Sequence, residues 1–266
     1  MTNRPSNEAM RRSCHFSLAL IVVLLVCTRT SSTAENAKLI RVLLVTGRDV
    51  PAHDWRATTA VTRTALEKSK KFEVVVSEEP AVLESSALSN YDVLVVNHRN
   101  RPTEQISALA RENVESFVRG GKGFVALHFA VNAWESWDGY RKMIGRHWVR
   151  RRAGKKVSGH GPKGPFRTQV VHRNHPITEG LEDFDCDDEL YAKLQGSDPI
   201  DVLVDAYSDW SHRREPLAWT TSFGAGRSFV LTLGHGPKER EVEGYQHLLV
   251  RGCEWAASGK VLPVVE

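Results

Sequence analysis

The stretch that most constrains this chain is Gly120-Gly121-Lys122-Gly123-Phe124-Val125-Ala126-Leu127-His128, an apolar run of strand length entered through glycines and left on a histidine. A short run of this kind, preceded by a helical pattern, reads as a central parallel strand covered on both faces. Residues 39–46, before Gly47, and residues 91–97, before His98, have the same form. Residues 72–77 are strand-like as well. The spacing predicts a helix over 55–69, with Val61, Ala65 and Leu66 in phase. Another is expected to start at Pro102-Thr103, with Thr103 as N-cap, Ile106, Ala110, Val114 and Phe117 on one face, and Gly120-Gly121 as its stop. Strands alternating with helices through short links predict an α/β fold with a doubly wound, mostly parallel sheet and helices on both faces.

The second half is less regular. A helix is expected over 134–144, carrying Trp134, Trp137 and Tyr140 as an aromatic wall over the strand end, either lining a sugar cleft or packing in the core. Residues 141–156 are strongly basic and read as a solvated loop, or as a site for an anionic ligand or partner. Strands are expected over 166–172 and 200–206, and residues 185–191 are acidic. Residues 217–223 and 227–233 pair across Gly224-Ala225-Gly226 and lead to Gly234-His235. A helix over 243–258 closes the fold at Gly259.

At 266 residues, 41% hydrophobic and 26% charged, there is apolar material for one sizeable core. No repeat or linker divides it, so residues 35–266 read as one domain. The formal charge of +4 is concentrated at the start, where Arg4, Arg11, Arg12 and Arg29 stand against Glu8 alone. The remainder is close to neutral, and no nucleic-acid partner is expected. Residues 1–34 have the order of a secretory signal: Arg11-Arg12, an apolar stretch over 16–26, then small polar residues ending in Ser32-Thr33-Ala34. The apolar stretch is short of the roughly 20 residues that a bilayer span needs. Export to the periplasm or outside the cell is therefore expected, with no membrane association beyond this segment. Cleavage would leave Cys186 and Cys253, which read as buried thiols.

Ligands of open α/β sheets bind outside the carboxyl ends of the strands. Three predicted strands deliver His98, His128 and His235 to that edge, and His53 and Asp54 lie in the loop after the first. Histidine serves as general acid or base near neutral pH and is a common metal ligand. The expected catalytic set is His128, His235 and Glu189, with His53, Asp54, His98, Trp134, Trp137 and Tyr191 binding substrate. A divalent metal held by His53, His128 and His235 is the variant of this reading.

Five short motifs occur in order: Leu127-His128-Phe129-Ala130, Asn174-His175-Pro176-Ile177, Asp188-Glu189-Leu190-Tyr191, Pro216-Leu217-Ala218-Trp219, and the run from Gly226 through Leu233-Gly234-His235. Together they resemble the ThuA-like family, named for trehalose utilisation, over the chain from about Leu39 to about Gly259. The resemblance implies a flavodoxin-like fold related to class I glutamine amidotransferases and a setting in carbohydrate metabolism, with trehalose or another disaccharide, or a keto-sugar, as the small-molecule partner. Those amidotransferases carry a nucleophilic cysteine on the turn after the strand matching 124–127. Here the turn reads His128-Phe129-Ala130, so glutaminase chemistry is excluded. The leading expectation is an enzyme moving protons on a sugar or keto-sugar. Its alternative is a non-catalytic carbohydrate-binding or accessory module. A homo-oligomer is compatible with either, and a salt-sensitive protein partner on the basic stretch is a third course.

Overall fold

The computed structural model describes residues 38–101 and 104–262. The expected signal segment therefore lies outside the described residues, as do Pro102 and Thr103. Five strands form the heart of the main sheet: β1 (Ile40–Val45), β2 (Phe72–Ser77), β3 (Val93–Val96), β4 (Gly123–Leu127) and, much later, β12 (Gly226–Leu231). They run parallel in the order β2-β1-β3-β4-β12, the doubly wound order of flavodoxin-like folds. Between β4 and β12 come two-residue strands β5 (Arg151–Arg152) and β6 (Lys155–Lys156), then β7 (Gly164–Arg167), β8 (Gln169–Val170), β9 (Asp185–Asp188), β10 (Asp201–Ser208) and β11 (Arg213–Phe223). Antiparallel β11, β10 and β8 extend the sheet beyond β12, while β5 with β6 and β7 with β9 make separate ribbons.

Side chains alternate across a strand, so β1 sends Val42 and Leu44 to one face and Leu43 and Val45 to the other. The first face is covered by helices α1 (Trp55–Lys68) and α5 (Glu243–Ser258), the second by α2 (Ala108–Arg119) and α3 (Asp138–Ile144); α4 (Pro237–Arg240) is a single turn after β12. Expectation and structure agree closely for α1 and α5. Helix α2 begins later than predicted, at Ala108, because the Ser107 hydroxyl accepts from the Ala110 amide and caps it there. Helix α3 does not begin at Trp134: that residue has φ 43°, which no right-handed helix tolerates. The basic stretch is not a plain loop. Arg151–Arg152 and Lys155–Lys156 pair across Ala153 (φ 48°) and Gly154 (φ 77°), a hairpin turn with both central residues left-handed. No helix among the described residues is long and apolar enough to cross a membrane.

Candidate functional site

Buried strand β4 ends at Leu127, and His128 follows with φ 44° before a 3-10 turn over His128–Asn132. A bulky residue in that region stores strain that the surroundings must hold, a condition that collects at functional sites. His128 is fully buried. Its Nδ1 lies 2.6 Å from the Thr232 carbonyl and its Nε2 lies 2.8 Å from the Tyr191 hydroxyl. A carbonyl only accepts, so Nδ1 carries a proton, and Nε2 faces the Tyr191 hydroxyl and the Glu189 carboxylate.

Glu189, just past β9, gathers the imidazoles. Its Oε2 is 3.1 Å from Nδ1 of His235 and 3.7 Å from Nε2 of both His128 and His160. Burial opposes ionisation of this carboxyl, but the interactions with His128 and His235 prevail and hold it far below the ordinary carboxylate range. The same contact with Glu189 raises the pKa of His235 against the effect of burial. His53 moves the other way: burial first, then neighbouring His128 and His235, bring its pKa down to about 3, so its ring is neutral at pH 7. Its ring centroid is 5.1 Å from that of His128 and 4.7 Å from that of His235.

The loop after β12 is set by a buried carboxylate. Asp188 accepts from the amides of Gly234 (2.6 Å), His235 (3.2 Å) and Glu189 (2.8 Å). Gly234 has φ 94°, and a Cβ there would stand 2.6 Å from the Tyr245 ring, so only glycine makes this turn into His235. Arg240, fully buried, donates to the Gly234 carbonyl (2.9 Å), Thr62 (2.8 Å) and Asn97 (2.9 Å). It ties this loop to α1 and β3.

A cavity of about 380 Å³ opens on the cluster, bordered by His53, Phe129, Trp148, His160, Glu189 and Tyr191, with Arg99 and Arg150 at its side. A wider one of about 840 Å³ adjoins it through His53, Arg99 and Arg150 and reaches Asp54 and Trp55.

The structure brings together His53, His128, Glu189, Tyr191 and His235, and it separates the rest of the predicted set. Strand alternation sends Asn97 toward α1, where it donates to Thr59 at 3.0 Å, and His98 to the opposite face. There His98 lies against Trp134, with centroids 5.5 Å apart, and its Nδ1 is 3.3 Å from the Thr46 carbonyl. Trp134 and Trp137 are buried in the second core, with the Trp137 indole donating to Glu115 at 2.8 Å. Neither borders the cavity over Glu189. The aromatic surface there is half-buried Trp148, edge-on to Tyr191 at 4.9 Å. Asp54 caps α1 through the Ala57 amide at 3.0 Å and lines the wider cavity rather than the one over Glu189. Sequence reasoning missed His160 and Trp148, which sit in irregular chain; the single available signal was an aromatic pair flanking the basic stretch. Cys186 and Cys253 are free and buried; burial, then Asp188 and Asp185, push the Cys186 thiol up to about 12. The Asn174-His175-Pro176-Ile177 motif is structural, taking hydrogen bonds from Arg251 and His247 of α5.

His53, His128 and His235 each offer a nitrogen, all within 4.8 Å of one another. The buried Nδ1 atom of His53 has no hydrogen-bond partner, and that of His235 faces the Glu189 carboxylate. These three histidines are the residues that would hold a divalent metal, with the Glu189 carboxylate beside His235. The His128 Nδ1 hydrogen bond to Thr232 is the kind of outer contact that orients a metal-binding imidazole.

The flavodoxin-like order, with a histidine-ringed carboxylate beside the carboxyl ends of β4 and β12, defines a mostly parallel α/β protein that has no cysteine at the turn after β4. The sequence profile of the ThuA family, described as trehalose utilisation, matches residues 41–256, and the chain belongs to that family. A ThuA-like protein of Parabacteroides merdae superposes with a TM-score of 0.75 at 27% identity, over 86% of this chain and 93% of that one. A ThuA-like protein of Bacteroides uniformis gives 0.67 at 20% identity, over 87% and 96%. A β-galactosidase of Bacillus circulans shares the fold, with a TM-score of 0.53 at 16% identity, over 81% of this chain and 31% of the enzyme. No curated protein matches the chain significantly.

Proposed function

We propose that this ThuA-family protein is an exported enzyme that moves protons on a sugar or keto-sugar, with Glu189 as the group that meets the substrate. The observation that carries the reading is the Glu189 carboxylate at the cavity wall, with imidazole nitrogens of His235, His128 and His160 at 3.1 Å, 3.7 Å and 3.7 Å from one oxygen. Keto-sugar isomerisation or elimination needs a base for the C–H proton beside the carbonyl and an acid at the carbonyl oxygen. Glu189 takes the first role. An imidazolium beside it supplies the second, His160 from the cavity wall or His235 from behind the carboxylate. Fully buried His128 does not border the cavity, so its part is to position Glu189 and Tyr191. Trp148 gives the sugar ring a face to stack on. Export rests on the signal-like order of residues 1–34, and the sugar setting on the family's name.

A second reading has its own observation: the three convergent nitrogens of His53, His128 and His235 suit a divalent metal that would polarise the same carbonyl. The remaining alternative is a carbohydrate-binding module without turnover.

The experiment is to incubate the protein with a panel of 3-keto and 2-keto sugars in D2O and follow each by proton NMR. Deuterium entering beside the carbonyl, lost in Glu189→Gln and retained in a surface variant such as Arg63→Gln, supports the reading. Absence of exchange in every sugar, with binding intact, sinks the enzyme and leaves the module.

A further inference from the structure

Two of the arginines around the paired cavities are ion-paired. Arg48 pairs with Glu104, and Arg56 lies 2.8 Å from Asp49. Arg99 and Arg150 differ. Among the described residues neither guanidinium has a carboxylate within ion-pair distance or a hydrogen-bond acceptor, yet both border the small cavity with Glu189 and the wide one beside it. Arg99 is half-buried in the turn after β3, and Arg150 is exposed just before β5. Burial first, and then the Arg150 charge, hold the Arg99 guanidinium below its ordinary range. Two like charges that border the same cavities, neither of them ion-paired, raise the energy of the empty site, and an anion held by both removes that cost.

We propose that the substrate is an anionic sugar derivative, its carboxylate or phosphate gripped between Arg99 and Arg150 while the ring lies over Glu189. This rests on the reading of Glu189 as the reacting group and adds the substrate's charge. Guanidinium forks match both oxyanions bidentately, and the cavity over Glu189 leaves room for one ring beside them.

The test is calorimetric titration of D-glucuronate, glucose 6-phosphate and neutral methyl glucoside into the full chain and into Arg99→Gln and Arg150→Glu. At least one anion is expected to bind tenfold or more tightly than the neutral sugar, and that margin should vanish in both variants. Arg150 is exposed, so Arg150→Glu keeps the fold and decides the matter if Arg99→Gln melts early. Loss of the margin for glucuronate alone assigns a sugar acid, and loss for the phosphate alone assigns a sugar phosphate. Equal binding of neutral and charged sugars, no binding of either anion, or a margin that survives both substitutions overturns the proposal. Glu189→Gln separates it from the acid–base reading. Charge-selective binding without Glu189-dependent deuterium exchange would sink the chemistry and leave the anion site. Exchange on neutral sugars alone would do the reverse.

Discussion

The Tyr191 hydroxyl stands 2.8 Å from Nε2 of His128, while Nδ1 of the same ring donates to the Thr232 carbonyl. Nitrogen-15 spectra should therefore show a proton on Nδ1 of His128, held to a carbonyl. Tyr191→Phe removes a buried hydrogen-bond partner of His128 and should cost about 1–3 kcal/mol of stability. It should also lower kcat more than it changes KM, since Tyr191 steadies the ring behind the carboxylate. An unprotonated Nδ1 in the wild type would contradict the arrangement.

Glu189 raises the pKa of His235, and Glu189→Gln should bring that histidine's titration down. Turnover in the same variant should fall by roughly 100- to 10,000-fold, the usual range for a general acid or base. His235→Asn should fall less if His160 supplies the proton. The two variants measured side by side thus assign the acid.

His53 and His98 keep neutral rings when folded, with pKa values of about 3 and about 4, both depressed first by burial. The unfolded chain takes those protons near pH 6.5, so stability falls as pH drops through that value and levels off near the folded pKa. Each ring contributes about 1.4 kcal/mol per pH unit across its window. Urea midpoints should decline steeply between pH 6.5 and 4, and less steeply in His98→Asn. A flat profile would mean that these rings are protonated in the native state.

Trp148 and Trp134 should separate cleanly. Trp148→Ala is expected to weaken sugar binding tenfold or more with little loss of stability. Trp134→Ala, in the core, should cost about 3–5 kcal/mol and leave affinity unchanged. The reverse pattern would put the sugar on the other face of the sheet.

Metal analysis of the chain purified without chelator tests the three-histidine site. Near-stoichiometric zinc or manganese, lost in His53→Ala and His235→Ala, would make the chemistry metal-assisted. No metal in the wild type would leave the proton-transfer set to act alone.

The parallel half of the fold could be read from the sequence because its strands are buried on both faces and announce themselves as short apolar runs ending at turns. The edge where His53, His128 and His235 meet followed from those runs alone. His98 misled because one step along a strand reverses the face, and the runs do not say which residue is last in register. Trp134 misled because a left-handed backbone at a tryptophan has no compositional mark. His160 and Trp148 come from chain held by isolated bridges, such as Gly159 with Ala192, rather than by periodic structure, so no period pointed to them. The pairing of Asp188 with the Gly234 and His235 amides joins segments far apart in sequence and is invisible until the chain is folded.

Strand β12 enters between β4 and β11, in the interior of the sheet rather than at a border. A growing chain that has completed β11 still has an open seam along β4, with His128 and Glu189 made but His235 and its Asp188-anchored loop missing. The reactive cluster thus closes only when the last strand docks. Any activity the protein has is at the same time a signal that the whole sheet has zipped shut, and shortened or half-assembled forms should be silent rather than merely slow.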